Sequence, residues 1–573
     1  MNIFKNSWKT FAAPLLCAAA VFVNAWRVAA CTAVYVGKDA SVDGTTIMAK
    51  SNDCGDVFGN HIVVEPAVKN KAGRKMPVDQ TGTVFAEIPA TTYKYVCTPW
   101  MDSTMAYNGL CRDATICSNE LGVNMLMSIT AFSNDAALEA DPLIEKGLTE
   151  FTAVDLVVCQ SATAREAVKV LCSLLDKFGS SEINIALIAD QNEAWYVEMY
   201  SGHQYAAARL PDDKVCAFGN EFNLEYLSDY KESIVSPNLL SLPAQKGFAV
   251  YGKNNELNLY KSYAGPEITT NYSHMRTWIG HQILSPSVYG ADYDKEAMYP
   301  LCFASDKKVS LQDVMEIMRN RFEGTKYDPD ETGRTDMRVI GTDTALSVHI
   351  AQIYHDVPAD LCSVVWESSG PAIYGVFVPV SNASLRVGAG YAKNQDARDA
   401  EIFDTDNYPY YRFKELTTLC VERDSYKAYG QPVRAYWHDA ESGMIQGMAA
   451  VVKNTAALKD KKAAARYVTD YYAAMQDKAF YDAGKLLNQV RWAKSKNSNT
   501  LKNGRNPETN EVIDEERRLD PIEVKIDGSL YKQVPQVHSG GIPVVAIVLL
   551  FVALDIAATA WFLSTRAKKK SRA

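Results

Sequence analysis

The residue with the most distinctive chemistry in this chain is a cysteine directly behind the predicted end of a secretion signal. The run RVAACTAVY places Cys31 after Val28 and Ala30, the small residues that precede a signal cleavage site. If the chain is cut after Ala30, Cys31 gains a free α-amino group, whose ordinary pKa of about 7.7–8.0 lets it act as a general base. Because the thiolate is the reactive form of cysteine, one residue would then hold both the nucleophile and its base.

Two other interpretations of Cys31 remain open at this point. The letters VAAC at positions 28–31 also fit a loose lipobox, so Cys31 is a candidate for lipid attachment, which would acylate the amine and remove the base. The other interpretation is that Cys31 is only an ordinary small residue at a cut site. A strand-like run follows Cys31 immediately, and this favours the nucleophile, because a lipid-bearing cysteine is normally followed by a flexible tether.

A nucleophile of this kind needs a group that holds the amine and donors for the developing oxyanion. The run AKSND puts Lys50, Asn52 and Asp53 on a strand predicted to return towards Cys31, where alternation directs some of them at it. The run FGNEF offers Asn220, whose amide could donate to an oxyanion.

The elements predicted to position these residues are mostly paired strands. Two hairpins are predicted, one over 31–53 with a turn at Asp43-Gly44 and one around 119–122. Helical spacing is found over 149–178, 308–321 and 443–490. Strand runs stand apart from helical runs, and no glycine-rich phosphate loop accompanies a strand, so the sequence predicts an α+β protein with layered antiparallel sheets.

Both ends of the sequence carry membrane signals. Residues 1–30 have the basic, apolar and small-residue regions of a cleaved signal peptide. Residues 541–563 are long and apolar enough to span a bilayer as a single helix, and a basic tail, 564–573, follows. We therefore expect a single-pass protein of the cell membrane with its body, 31–490, outside the cell and a polar stalk, 491–540, between body and membrane.

Composition and charge narrow the possible partners. The net charge is -9 over 573 residues and shows no basic stripe, which argues against nucleic-acid binding. Of 12 cysteines, the signal removes Cys17, so an odd number remains and at least one thiol is unpaired within the chain. Their spacing fits no zinc template, and we expect neither a metal nor a cofactor. The sequence leaves open whether the protein forms a homo-oligomer.

The chain resembles a known family in an ordered series of motifs. After CTAVYVGKDASVDGTTIMAKSND come NELGVNM, AREAVKVLCSLLDKFG, NEAWYVEMYSGHQYAAARLPDDK with GNEF, MRTWIGHQILSPS, RFEGTKYD, HIAQIYHDVPADLCSVVWESSGPAIYGVFVPV and YYRFKELTTL. This series, over about residues 31 to 485, resembles the dipeptidase A family of cysteine peptidases, which are N-terminal-nucleophile (Ntn) hydrolases. The resemblance implies a four-layer αββα sandwich and the cleavage of dipeptides.

The resemblance also implies roles for individual residues. Cys31 would be the nucleophile and, through its amine, the base; Asp53 would hold the amine; Asn220 would stabilise the oxyanion. Arg276 falls where a second active-site arginine could contact substrate. Lys50 stands where the family usually has arginine, and lysine keeps the charge but loses the bidentate fork.

Residues 51 and 52 depart from the family pattern as well, since Ser51 and Asn52 replace the usual asparagine and glutamate. These changes bear on substrate preference, and Lys50 and Asn52 are assigned with Arg276 to substrate binding.

The sequence therefore predicts a surface-anchored cysteine dipeptidase that takes short peptides. An amidase of the same superfamily acting on acyl–amino acid bonds is the enzymatic alternative. A non-catalytic surface lipoprotein or binding protein is the alternative from another class.

Overall fold

The structure, a computed structural model, describes residues 31–53, 61–99, 114–265, 272–393, 403–422, 425–498 and 519–533. The strands are β1 (Ala33–Val36), β2 (Thr46–Asp53), β3 (Val63–Glu65), β4 (Val68–Lys69), β5 (Lys75–Pro77), β6 (Phe85–Glu87), β7 (Thr91–Thr92), β8 (Tyr95–Pro99), β9 (Ala114–Asn119), β10 (Asn124–Thr130), β11 (Asn184–Ala189), β12 (Ala194–Met199), β13 (Tyr205–Arg209), β14 (Val215–Phe218), β15 (Ser233–Val235), β16 (Ala345–Ile353), β17 (Ser363–Ser369) and β18 (Val378–Ser381). The α-helices are α1 (Asp135–Ala140), α2 (Glu150–Val158), α3 (Ala164–Phe178), α4 (Leu242–Lys246), α5 (Leu259–Tyr263), α6 (His274–Leu284), α7 (Leu311–Arg319), α8 (Pro329–Thr332), α9 (Pro409–Val421), α10 (Gln431–Ala456) and α11 (Lys461–Ser498).

The predicted first hairpin forms the middle of a six-stranded antiparallel sheet. Its strand order is β14-β1-β2-β16-β17-β18. β1 and β2 pair in the register Ala33↔Lys50, which confirms the hairpin over 31–53. The connection is longer than a tight turn, and Gly44 within it has φ 73°, a left-handed conformation that favours glycine.

A second antiparallel sheet holds eight strands in the order β15-β13-β12-β11-β10-β9-β8-β3. β9 and β10 pair on either side of the turn at 120–123, which confirms the second hairpin. β11 and β12 form a further hairpin. The expected α+β class with antiparallel sheets is thus confirmed.

The two sheets pack face to face, and helices lie against each of them. Ser118 of the eight-stranded sheet donates to Ser363 of the six-stranded sheet at 2.9 Å, and Ser363 donates to Asn124 at 2.6 Å. Helices α2 and α3 contact the eight-stranded sheet, while α6, α7, α9 and α11 contact the six-stranded sheet. Covered on both faces, β1 and β2 are buried along their whole length, without the polar and apolar alternation of a one-sided sheet.

The carboxy-terminal part of the described chain differs from the expected stalk. Helix α11 continues to Ser498, beyond the predicted end of the body at 490. Residues 519–533 return to the body, where the buried hydroxyl of Tyr531 donates to Asp482 at 2.9 Å and the Ile522 N–H donates to the Ala428 carbonyl at 2.9 Å. Part of the polar 491–540 region is therefore packed, because its apolar side chains lie against the hydrophobic core.

The predicted signal peptide, 1–30, and the predicted membrane helix, 541–563, lie outside the described residues, as does the tail 564–573. Within the described ranges, no helix combines the length and the apolar character that a membrane span requires.

Candidate active site

Cys31 lies two residues before the first residue of β1, and both its backbone N–H and its carbonyl are hydrogen-bonded. Its N–H donates to Asn220 Oδ1 at 2.7 Å, and its carbonyl accepts a hydrogen bond from Arg276 Nη1. Its side chain has no exposed surface. The nitrogen that would become the α-amine is thus fixed by a residue 189 positions away in the sequence.

The hairpin brings the return strand beside Cys31. Thr32 and Ser51 exchange two hydrogen bonds: the Thr32 N–H donates to Ser51 Oγ and the Ser51 N–H donates to the Thr32 carbonyl, both at 2.9 Å. Continuing the register Ala33↔Lys50 by two residues sets Cys31 opposite Asn52, on the same face of the sheet as Lys50. The expectation that the strand returns Lys50, Asn52 and Asp53 to Cys31 agrees with this geometry.

The side chains of Lys50 and Asn52 are fully buried, yet the described residues offer neither of them a hydrogen-bond partner. Lys50 Nζ and both polar atoms of the Asn52 amide are without one among the residues that the structure describes. Buried polar groups are normally paired. An unpaired ammonium and an unpaired amide on one face, beside a cysteine, are therefore the groups available to a bound molecule.

The electrostatic surroundings of Cys31 disfavour its thiolate. Burial raises the pKa of the Cys31 thiol to about 11, although the Lys50 ammonium beside it acts in the opposite direction. Burial also lowers the pKa of Lys50, while the negative charges around it favour the ammonium form. At neutral pH the thiol therefore needs a base close to its sulfur.

Asp53 ends β2 and is fully buried. Burial raises the pKa of its carboxyl, while the charges of Arg338 and Arg276 oppose that rise. Arg338 Nη2 lies 3.6 Å from Asp53 Oδ2, and the Arg338 side chain keeps 23% of its surface exposed. Arg338 is a site residue that the sequence reasoning missed, because it lies in an irregular segment before β16 with no periodic pattern.

Arg276, in the first turn of α6, donates to the protein itself from all three guanidinium nitrogens. Besides the Cys31 carbonyl, Nη1 donates to Thr32 Oγ1 at 2.9 Å, Nη2 donates to Asn220 Oδ1 at 2.8 Å and Nε donates to the Tyr272 carbonyl at 2.6 Å. Burial, with Arg338 nearby, lowers its pKa to about 10. These donors hold the strand start and Asn220, which suits Arg276 to positioning Cys31. The expected contact of Arg276 with substrate stays a prediction.

Asn220 follows β14 and connects three elements. Its Oδ1 accepts from Cys31 and Arg276, and its Nδ2 donates to the Thr130 carbonyl at 2.7 Å. The residue before it must be small, because a Cβ on Gly219 would lie 2.7 Å from the Ser273 carbonyl oxygen and 3.3 Å from the Arg276 guanidinium carbon. This close packing lets α6 deliver Arg276 to Asn220.

Two further ionisable groups lie near the site without joining it. His349 faces Lys50 in the sheet register, but its ring nitrogens contact Glu367 Oε2 at 3.0 Å and Ser347 Oγ at 2.9 Å. Glu150, the first residue of α2, is close enough for its charge to raise the pKa values of Cys31 and Lys50.

One buried group in the described part of the chain has the composition of a metal site, and it lies outside this cluster. Ligand atoms of Cys97, Cys117 and Asp155 lie within 4.8 Å of one another. Both Asp155 oxygens, however, accept protein hydrogen bonds, from the Tyr95 hydroxyl at 2.8 Å and the Ala114 N–H at 2.9 Å. This carboxylate is therefore already occupied by the protein.

Comparison with known proteins identifies a family for this chain. The model of Peptidase family C69 matches residues 30–439. A protein named probable dipeptidase B from Streptococcus pyogenes serotype M1 is 30% identical over 392 residues, covering 66% of this chain and 77% of that protein. A protein named probable dipeptidase from Latilactobacillus sakei is 28% identical over 369 residues, covering 62% of this chain and 74% of that protein.

Among solved structures, a variant of conjugated bile acid hydrolase from Clostridium perfringens aligns with a TM-score of 0.29 at 11% identity. The alignment covers 59% of this chain and 89% of that chain. The family match spans well over half of the chain and begins at the residue before Cys31, and it confirms the family resemblance drawn from the motifs. The chain belongs to peptidase family C69, a family of cysteine peptidases.

Proposed function

We propose that this protein is a cysteine dipeptidase in which Cys31, freed by cleavage after Ala30, is the nucleophile and its α-amino group is the general base. The observation that carries the proposal is the contact between the Cys31 nitrogen and Asn220 Oδ1 at 2.7 Å. That nitrogen is already hydrogen-bonded, and it belongs to the same residue as the buried thiol. Because burial raises the pKa of this thiol, the thiol needs a base nearby. The names of the Streptococcus pyogenes and Latilactobacillus sakei relatives support dipeptides as substrates.

The proposed reaction begins with proton transfer from the thiol to the amine. The thiolate attacks the peptide carbonyl carbon, and the negative charge moves to the carbonyl oxygen. The ammonium then protonates the departing amino acid as the carbon–nitrogen bond breaks, which leaves a thioester on Cys31. Water, deprotonated by the same amine, attacks the thioester and releases the second amino acid with the thiol restored.

Asn220 and Arg276 have separate roles in this scheme. A side-chain amide has two hydrogens, and one of those on Asn220 Nδ2 is engaged by Thr130, so the second is the proposed donor to the oxyanion. Asn220 Oδ1 orients the amine, and Arg276 fixes both Asn220 and the start of β1. Asp53, with Arg338, is proposed to balance the charge of the ammonium when it forms.

Substrate binding is proposed for Lys50, Asn52 and Arg338. The first two are buried without a protein partner among the described residues, and Arg338 combines partial exposure with a buried Nε that is equally unpartnered there. Lys50 and Arg338 are cationic donors, which bind a carboxylate well, and Asn52 adds a neutral amide donor. A dipeptide always presents a carboxylate near its scissile bond. An acyl–amino acid also ends in a free carboxylate, so carboxylate binding fits both the dipeptidase and the amidase. The two substrates differ in the other half, where a dipeptide has a free amino group and an acyl–amino acid has none.

The finer fold and the location of the protein are part of the proposal. Two facing antiparallel sheets with helices against each support the αββα sandwich of Ntn hydrolases. The apolar run 541–563 with its basic tail supports a single membrane anchor that holds the body outside the cell.

The deciding experiment combines the mature amino terminus with activity. Mass spectrometry of the purified full-length product should find Cys31 as the first residue, with an unmodified amine. Cys31→Ala should then abolish dipeptide hydrolysis, whereas Cys172→Ala, at a buried thiol of α3, should leave it intact. A lipid adduct on the Cys31 amine, or full activity of Cys31→Ala, would overturn the proposal. Turnover of acylated amino acids but not of dipeptides would favour the amidase.

A further inference from the structure

Two cysteines far apart in the sequence meet at the edge of the six-stranded sheet. Cys216 Sγ and Cys302 Sγ lie 3.3 Å apart, although 86 positions separate the residues. Cys216 is on β14 and is fully buried, whereas Cys302 is only partly buried.

The backbone holds this approach in place. Val215 and Phe303, the neighbours of the two cysteines, form an antiparallel bridge in which each N–H donates to the other's carbonyl at 3.0 Å. On its other side β14 pairs with β1, in the register Tyr35↔Cys216. The proximity of the sulfurs therefore follows from main-chain pairing and does not depend on a side-chain rotation alone.

We propose that Cys216 and Cys302 form a disulfide bond in the mature protein. A disulfide needs its sulfurs about 2.0 Å apart, so only a small side-chain rotation separates the observed thiols from the bonded state. A chain with a secretion signal reaches an oxidising compartment, where such bonds form and persist. Because the exported chain has an odd number of cysteines, this pairing still leaves a thiol for Cys31.

The bond forms by exchange with an oxidised low-molecular-weight thiol, such as glutathione disulfide. The more accessible Cys302 attacks as its thiolate and releases one glutathione, which leaves a mixed disulfide on Cys302. The Cys216 thiolate then attacks the Cys302 sulfur and releases the second glutathione. The two cysteines lose two electrons, glutathione disulfide gains them, and the two protons pass to the released thiolates.

The position of the bond gives it a consequence for the active site. The loop that it closes, 216–302, contains both Asn220 and Arg276, the two side chains that hold the backbone of Cys31. The crosslink therefore joins the two ends of the segment that positions the nucleophile. It restricts the unfolding of that segment.

Peptide mapping tests the proposal directly. Tryptic cleavage leaves Cys216 in peptide 215–231 and Cys302 in peptide 296–307, each with a single cysteine. The full-length protein is equilibrated with glutathione disulfide at mildly alkaline pH, since burial raises the pKa of Cys216, and is then alkylated in denaturant. We expect the two peptides to be recovered mainly as one linked species that separates on reduction. Recovery of both as alkylated free thiols, or joined to other cysteines, would overturn the proposal.

Thermal unfolding supplies an independent readout. Closing so long a loop should raise the Tm of the oxidised protein by about 5 °C over the reduced protein. Cys302→Ser should remove this difference. Cys97→Ser should retain it, because Cys97 on β8 is buried opposite Cys117 on β9, away from Cys216. A wild-type Tm unaffected by reduction contradicts the proposal, and this measurement holds even where a variant fails to fold.

Discussion

The substitution Arg276→Lys separates the positioning of Cys31 from the presence of a positive charge. The guanidinium donates to Cys31, Thr32, Asn220 and Tyr272, and an ammonium at the end of a lysine chain reaches only some of these acceptors. Losing two charge-assisted hydrogen bonds in a buried site costs about 3–6 kcal/mol. If half of that cost falls on the alignment of the amine and Asn220, kcat decreases about 10- to 150-fold.

The assay is steady-state dipeptide hydrolysis, normalised to the folded fraction and measured against pH. Arg319→Lys is the matched control, because Arg319 is equally buried and bonds Glu441, Ala372 and Gly375, none of which belongs to the site. We expect Arg276→Lys to lower kcat and to displace the acid limb of the pH profile, while Arg319→Lys changes stability alone. Equal kcat values in the two variants, after correction for folding, would refute the positioning role.

Three further outcomes follow from the charges around the thiol. In the mature enzyme, kcat/KM should fall tenfold per pH unit below about 8, because the amine must be unprotonated to act as base; a profile flat from pH 6 to 9 contradicts this. Lys50→Met should raise the pKa of the Cys31 thiol further and slow its alkylation at pH 8 by about tenfold or more, whereas Lys50→Arg should retain the rate. Arg338→Gln should raise KM about tenfold or more for dipeptides but not for dipeptide amides, and an equal change for both would exclude carboxylate binding.

The hairpin at Cys31 was predictable because its signals are local. A turn dipeptide between two strand-like runs sets a pairing, and that pairing brings Lys50, Asn52 and Asp53 back towards Cys31. The separate strand and helix runs likewise predicted antiparallel sheets with packed helices.

The long-range parts of the site have no such local signal. Arg338 lies in an irregular segment, and only the tertiary fold places it 3.6 Å from Asp53. Arg276 was identified by resemblance, but its contacts with the backbone of Cys31 depend on how closely α6 approaches Gly219. The packing of 519–533 was missed for the same reason, since a polar composition conceals the single aromatic side chain, Tyr531, that is buried against Asp482.

The hydrogen bond from the Cys31 nitrogen to Asn220 has a consequence for maturation. This bond is present while the nitrogen is still part of a peptide group, so the surroundings of the future amine exist before the chain is cut. In the described part of the chain, activation of such a precursor would therefore leave the contact between this nitrogen and Asn220 in place. Activation would change the protonation chemistry of the Cys31 nitrogen. Over the described residues, precursor and mature enzyme should therefore superimpose while differing in turnover.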